Sequence, residues 1–294
     1  MNKKLGFIAL FSSAFIYAFI GIFIRFASLS FGTFSQVILR GLTGFLFLIA
    51  FHIILKRKFY ISPKIDKKRL ILYLSTTAFS IACATISINM IKASNTIFYI
   101  YAGILTSSLL YGVILYKEKV TYIKITCLTL SMMGIFFLAY PLQRVTVLGA
   151  IFGLIPGVLD STENAMIKYL GKFEKVSLMT LKNLCTSVLG IIMFFLFSEV
   201  LPTKILPISV ISVLGLGIGM VGVVSLYFFG FKNFDLNLGN IVTSAELIIM
   251  LFLNALFLHE FPSANEVIGG SFILISLIIV SFHAFKTERS KLAV

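Results

Sequence analysis

The chain has 294 residues, 59% of them hydrophobic and only 12% charged, with a formal net charge of +14. A soluble domain of this length needs far more polar surface, so the composition, with a mean hydropathy of +1.04, excludes that class and places the chain in a lipid bilayer. The positive charge sits in short loops between apolar stretches, which argues against nucleic acid as a partner.

Apolar runs long enough to cross a hydrocarbon core of ~30 Å are expected at roughly 5–27, 33–55, 70–91, 95–116, 122–140, 147–167, 177–197, 207–231, 239–258 and 265–285. The first is too long for a signal peptide and lacks its small-residue cleavage site, so it is expected to be retained. It carries Tyr17 near its middle and Arg25 toward its end, where an interface anchor is usual. Span two places Gln36, Arg40 and Thr43 on one face. That group could bind a substrate carboxylate or pair with an acid on another helix. The basic run from Lys56-Arg57-Lys58 to Lys67-Lys68-Arg69 follows, with anionic lipid as its natural contact.

Span three aligns Thr76, Ser80, Cys83 and Ser87 in a stripe suited to close packing or to a hydroxyl-lined wall. Span four opens with Tyr99 and Tyr101. Tyr17 and Tyr99 at interior positions could stack on a substrate ring or quaternary amine. Span six contains Pro156-Gly157, expected to break the helix, followed by Asp160, Glu163, Asn164 and Lys168 at helical spacing. Ionisable groups at bilayer depth cost about 2.5–3.5 kcal/mol each, so they face a protein interior or a watery cavity. Carboxylates just after a break also meet the positive end of a half-helix. Asp160, Glu163 and Asn164 are therefore candidates for substrate or proton binding, with an internal ion pair as the alternative. Lys168 is expected to snorkel to the interface.

Span eight carries Gly215, Gly217, Gly219 and Gly222, a packing surface. Glu246 stands on span nine with Thr243, Met250 and Asn254 on its face. A carboxylate there suits proton coupling or the holding of a cationic amine, with Arg40 or Lys182 as alternative partners. Assigned alternately to the two sides, the loop Lys and Arg residues number 19 on the side of the termini and 3 on the other. This bias puts both termini in the cytoplasm of a protein spanning the plasma or inner membrane. Cys83, Cys127 and Cys185 offer no disulfide framework, and His52, His259 and His283 are scattered, so no metal or cofactor is expected. A GxxxxGK[ST] phosphate loop is absent, and no clustered catalytic set marks an enzyme.

Residues 95–118 and 237–260 repeat one polarity profile. Shifted by 142 positions, Asn95 falls on Asn237, Leu105 on Leu247, Leu109 on Leu251 and Glu118 on Glu260. The expected fold is an all-α integral membrane protein of ten transmembrane helices, arranged as two inverted five-helix repeats (1–143 and 144–294) around a central cavity. Five is odd, so the second copy enters the membrane from the opposite side, which makes two oppositely facing states close in energy. The copies differ where Asp160 takes the place of Tyr17, and Glu246 that of Ile104.

The passage Leu115-Tyr116-Lys117-Glu118-Lys119-Val120-Thr121 resembles the "LGERLT" signature of the EamA-type drug/metabolite transporter family. Phe257-Leu258-His259-Glu260-Phe261-Pro262-Ser263 is similar. Of the two glycines that follow in the family, the first copy has Cys127 and Gly134, the second Gly269 and Ser276. The family's Glu-Pro in span nine is Glu246-Leu247 here. The resemblance implies a secondary transporter that exports a small metabolite. Mixed carboxylates and an Arg point to an amphoteric one such as an amino acid. Its partners would be that small molecule, membrane lipids and, as a candidate coupling ion, protons. An importer, a cationic-drug efflux protein and an uncoupled facilitator share the architecture, and Glu118 and Glu260 read as end markers of the fold.

Overall fold

In a computed structural model of the chain, residues 3–56, 58–91, 93–140, 146–258 and 261–292 are described, without the side chains at 20, 21, 85, 88, 89, 93–95, 254, 258 and 284–292. Among the described residues the regular elements are α1 (Lys3–Ala27), α2 (Thr33–Ile54), α3 (Lys67–Met90), α4 (Ala93–Tyr116), α5 (Tyr122–Ala139), α6 (Val147–Leu170), α7 (Lys175–Leu196), α8 (Pro207–Asn233), α9 (Leu236–Thr243), α10 (Ala245–Leu258) and α11 (Ala264–Leu292). Among the described residues eight segments are long and apolar enough to cross a membrane, with α9 and α10 contributing together as Leu236–Phe257. The helices α3 and α6, each of 24 residues, have the length but carry the polar faces that dilute their hydropathy.

The expected break at Pro156 does not occur: α6 runs unbroken with the proline inside it. A neighbouring helix supports that turn. A Cβ added to Gly157 would stand 2.8 Å from the Ile104 nitrogen and 2.9 Å from Gly103 Cα, so α4 lies backbone to backbone against α6. The interruption falls instead in span nine, at Ser244. There the Thr243 hydroxyl donates to the Asn240 carbonyl at 3.0 Å and the Ser244 hydroxyl to that of Ile241 at 2.7 Å. Hydroxyls that bond back onto their own helix compete with its backbone ladder and bend it. Glu246 thus sits in the first turn of α10, at the positive end of a half-helix. Asp160 and Glu163, inside the unbroken α6, meet no such helix start.

Matched helices preserve the 142-residue offset, α2 and α7 starting and ending that far apart and both spanning 22 residues. They run antiparallel: Glu199, beyond the end of α7, accepts from Phe34 N at 2.7 Å and Ser35 N at 2.8 Å at the start of α2. At the other end Tyr60 N, beyond α2, donates to Ser177 Oγ in α7 at 3.0 Å. The matched pair α5 and α11 also crosses antiparallel. A Cβ on Gly134 would stand 2.6 Å from the Gly269 carbonyl oxygen, while Ser276 Oγ donates to the Cys127 carbonyl at 2.9 Å. The four positions that stand at the family's glycines therefore meet one another. This antiparallel pairing of matched helices is what an inverted repeat requires.

Helix α1 packs against α8, and α6 against α3 and α4. Gly215 receives the Phe23 ring of α1 and Gly217 lies against Thr43 of α2, so these two span-eight glycines are a packing surface, whereas a Cβ added at Gly222 would meet only Ile16 at 3.8 Å. At the end of the bundle where the termini lie, Leu10, Tyr73, Ile167, Leu170, Phe228 and Phe231 are fully buried and form a dense apolar plug. Large apolar side chains on the outer faces, such as Phe195, Leu196 and Phe252, are left exposed, as lipid contact demands.

Candidate functional site

Above the plug lies a cavity of about 380 Å³. Its wall comes from Tyr17 of α1, Arg40 of α2, Thr77 and Ser80 of α3, Tyr101 of α4, Asp160, Glu163 and Asn164 of α6, Tyr227 of α8, Asn240 and Thr243 of α9, and Glu246 and Met250 of α10. Ile24, Ala84 and Ile97 also line it. These three stand near the ends of their helices that lie away from the termini, so the cavity extends from the bundle centre toward the far face.

Several of the polar groups are held by identifiable neighbours. Glu163 pairs with Lys182 of α7 and accepts from Thr77 Oγ1 at 2.7 Å and Thr76 Oγ1 at 3.2 Å. Ser80 is a hydrogen-bond partner of Asp160, and Arg40 and Lys182 are close enough to act on its charge. The Tyr101 hydroxyl donates to Glu246. Asn164 Nδ2 donates to Asn240 Oδ1 at 2.7 Å, which joins α6 to α9 across the cavity wall. Among the described residues Arg40 makes no ion pair, though the charges of Glu163 and Asp160 reach it. The cavity therefore contains one neutralised pair, one unpaired cation and two further carboxylates.

Six of the eight candidate residues, Tyr17, Arg40, Asp160, Glu163, Asn164 and Glu246, surround this cavity. Two lie outside its wall. Gln36 is buried near the start of α2, where its Nε2 donates to the Phe31 carbonyl at 2.9 Å and secures the turn into the helix. Tyr99 faces α6, its Cβ pressed on Gly153, because two residues along a helix point some 200° apart. Tyr101 takes the cavity position instead. Tyr227, Asn240 and Thr77 were missed, since a single polar residue on an apolar helix looks the same whether it faces lipid or a cavity. The span-three stripe divides: Ser80 lines the cavity, whereas Ser87 bonds Thr96 Oγ1 at 3.0 Å and the Gly149 carbonyl at 2.9 Å. Glu246 pairs with neither Arg40 nor Lys182, and the Asn254 side chain lies outside the described residues.

Lys168 does not snorkel. Its Nζ donates to Glu118 Oε1 at 2.6 Å and to the Phe234 carbonyl at 2.8 Å. Glu118 also takes Lys124 at 3.1 Å and caps α9 by accepting from Leu236 N at 2.7 Å, and Lys124 reaches Asp235 at 3.3 Å. Burial raises the Asp235 carboxyl, but Lys124, Lys3 and Lys168 outweigh it and hold the group below its ordinary value. Lys124 is thus buried within an ion cluster. The cluster ties α6 and α9 to the α4–α5 corner at the terminal face. Glu260, the counterpart of Glu118, lies outside the described residues, as does the Asn95 side chain. Asn237 is buried with no hydrogen-bond partner for its side chain. Among the described residues no group of three His, Cys, Asp or Glu side chains is placed to hold a metal ion.

Two matched sets of antiparallel apolar helices around a polar cavity define a multi-pass membrane transporter. The chain belongs to the EamA-like transporter family of the drug/metabolite transporter superfamily, which matches it twice, over residues 4–140 and 147–282. A solved crystal structure shares its fold at a TM-score of 0.80 with 15% identity, over 96% of this chain and 98% of that one.

Proposed function

We propose that the protein is a secondary transporter that exports a small amphoteric metabolite, with amino acids as the first class, by alternating access. The observation that carries this reading is the cavity itself: an unpaired Arg40 shares it with Asp160 and Glu246, so both a carboxylate and an ammonium group find partners there. All ten apolar segments cross the membrane, α3 and α6 with their polar faces turned inward. The halves 1–143 and 144–294 rock against each other around the cavity. Both termini are cytoplasmic, in the plasma or inner membrane, which the basic residues of the terminal face support. The cavity then faces outward, while the apolar plug and the Glu118 cluster close the cytoplasmic side. Glu246, bonded to Tyr101 and seated at the start of α10, is the candidate proton carrier.

Proteoliposome counterflow with a panel of amino acids and cationic drugs, with and without a pH gradient, tests this reading. Exchange of an amino acid that depends on Asp160 and Glu246 is expected. If no amino acid exchanges, the substrate class is wrong. If Asp160→Asn and Glu246→Gln both transport normally at every pH, the site is wrong. A second reading, efflux of aromatic cations, is favoured by the tyrosine wall of Tyr17, Tyr101 and Tyr227 around the carboxylates. Transport of the drugs but not the amino acids would select it.

A further inference from the structure

The 142-residue offset that relates α2 to α7 carries Arg40 onto Lys182, the eighth residue of each helix. The two halves thus hold equivalent cations in opposite halves of the bundle, but those cations are treated differently. Lys182 is 4% exposed and satisfied from within: Glu163 of α6 pairs with it, and Thr76 and Thr77 of α3 hold that carboxylate in place. In the other half the equivalent acid would have to come from α1, the counterpart of α6. That helix reads KKLGFIALFSSAFIYAFIGIFIRFA and contains neither Asp nor Glu. Where α3 supplies hydroxyls beside Lys182, α8 sets Gly217 against the backbone of Arg40, its added Cβ 2.9 Å from the Arg40 carbonyl oxygen. Arg40 is the same site with its anion left out, and it lines the cavity.

Resting on the transporter reading above, we infer that Arg40 is the specificity-determining anion site and that Glu163 is a tethered anion occupying its twin at Lys182. The substrate brings the carboxylate that α1 lacks, so a molecule with only a cationic group leaves Arg40 unmatched and is discriminated against. Because a built-in carboxylate already fills the equivalent position, the substrate's anionic group has one docking point in the cavity. Asp160 and Glu246 are then left for the ammonium end, which sets the orientation of the substrate: carboxylate toward α2, ammonium toward α6 and α10. The positively charged guanidinium suits this role because its planar fork holds a carboxylate with two parallel hydrogen bonds.

The test uses the purified full-length protein and needs no knowledge of the natural substrate. Thermal unfolding is measured against added acetate for the wild type, Arg40→Gln, Arg40→Lys and Glu163→Gln, with matched chloride as the control for ionic strength. The wild type is expected to be stabilised by acetate, Arg40→Gln not at all, and Arg40→Lys to an intermediate extent. Glu163→Gln, whose amide still fills the place beside Lys182, should retain the single Arg40-dependent response. Should Arg40→Gln not fold, the wild type decides through its probes: an exchanging amino acid must compete in counterflow about tenfold or more better than the amine made by removing its carboxylate. Equal stabilisation of wild type and Arg40→Gln by acetate overturns the inference, as does equal competition by the amine. If the amino-acid panel fails while the acetate response still depends on Arg40, the substrate class falls and the anion site stands.

Discussion

Glu118→Gln removes one negative charge from a cluster of two acids and two lysines while keeping the shape of the side chain. The Glu118 side chain is 8% exposed, and those of Lys124 and Lys168 are 5% and 12% exposed, so water screens the loss poorly. Removing one partner of a buried ion pair costs ~3–5 kcal/mol. Part of that cost is recovered here: Asp235 still holds Lys124 at 3.3 Å, and the Phe234 carbonyl still accepts from Lys168 at 2.8 Å. The amide oxygen can also keep the cap on Leu236 N. A net loss of ~2 kcal/mol from the closed terminal face is therefore expected, which shifts the closed-to-open equilibrium by roughly 30-fold. The assay places a cysteine at Leu170, fully buried in the plug, in a background lacking Cys83, Cys127 and Cys185. Labelling by a charged maleimide applied to the terminal face should accelerate by about that factor when Glu118→Gln is added. A melting temperature that falls while the labelling rate stays constant would refute the gate and leave the cluster as a staple of the fold.

Three other outcomes follow from the same geometry. Glu163→Gln should destabilise the protein by ~3 kcal/mol because it strands Lys182, and adding Lys182→Met should restore part of that; additive losses in a thermal-unfolding cycle would show the pair to be uncoupled. Asp235, held below its ordinary value by three lysines, contributes stability that is full above its unfolded value of about 4 and lost as pH falls through the folded one. The gap in melting temperature between wild type and Asp235→Asn should accordingly narrow below about pH 4, and a constant gap would contradict the assignment. Gly157→Ala should cost about 1–3 kcal/mol by pushing α4 off α6, read as a lower melting temperature; an unchanged one would mean the contact yields freely.

The class of protein was written in the chain at low resolution. Apolar length, the 19-to-3 bias of basic loop residues and the 142-residue repeat depend on composition and order alone, and the bilayer makes them legible because it admits few other solutions for an apolar chain. The polar residues on α6 and α10 were equally visible, since a carboxylate in an apolar span stands out against its background. Direction within a turn was not. Tyr99 and Tyr101 are indistinguishable by type, and only the pressing of α6 onto α4 through Gly153 and Gly157 decided which of them meets Glu246. Partnership was also beyond reach: Lys168 reads as interfacial until Glu118, up to 118 positions from its partners, gathers it with Lys124 and Leu236.

The position of the helix break shows the division most clearly. Proline and glycine at 156 and 157 marked a local weakness, and a neighbouring helix compensated for it. Thr243 and Ser244 give no comparable warning, and there the helix is interrupted by a single turn residue. The sequence by itself determined what must be buried and that the chain is built in two copies. Only the tertiary structure decided which polar groups satisfy one another and which face the cavity. The reason is physical: burial in lipid is a property of a segment, whereas pairing is a property of distance between segments.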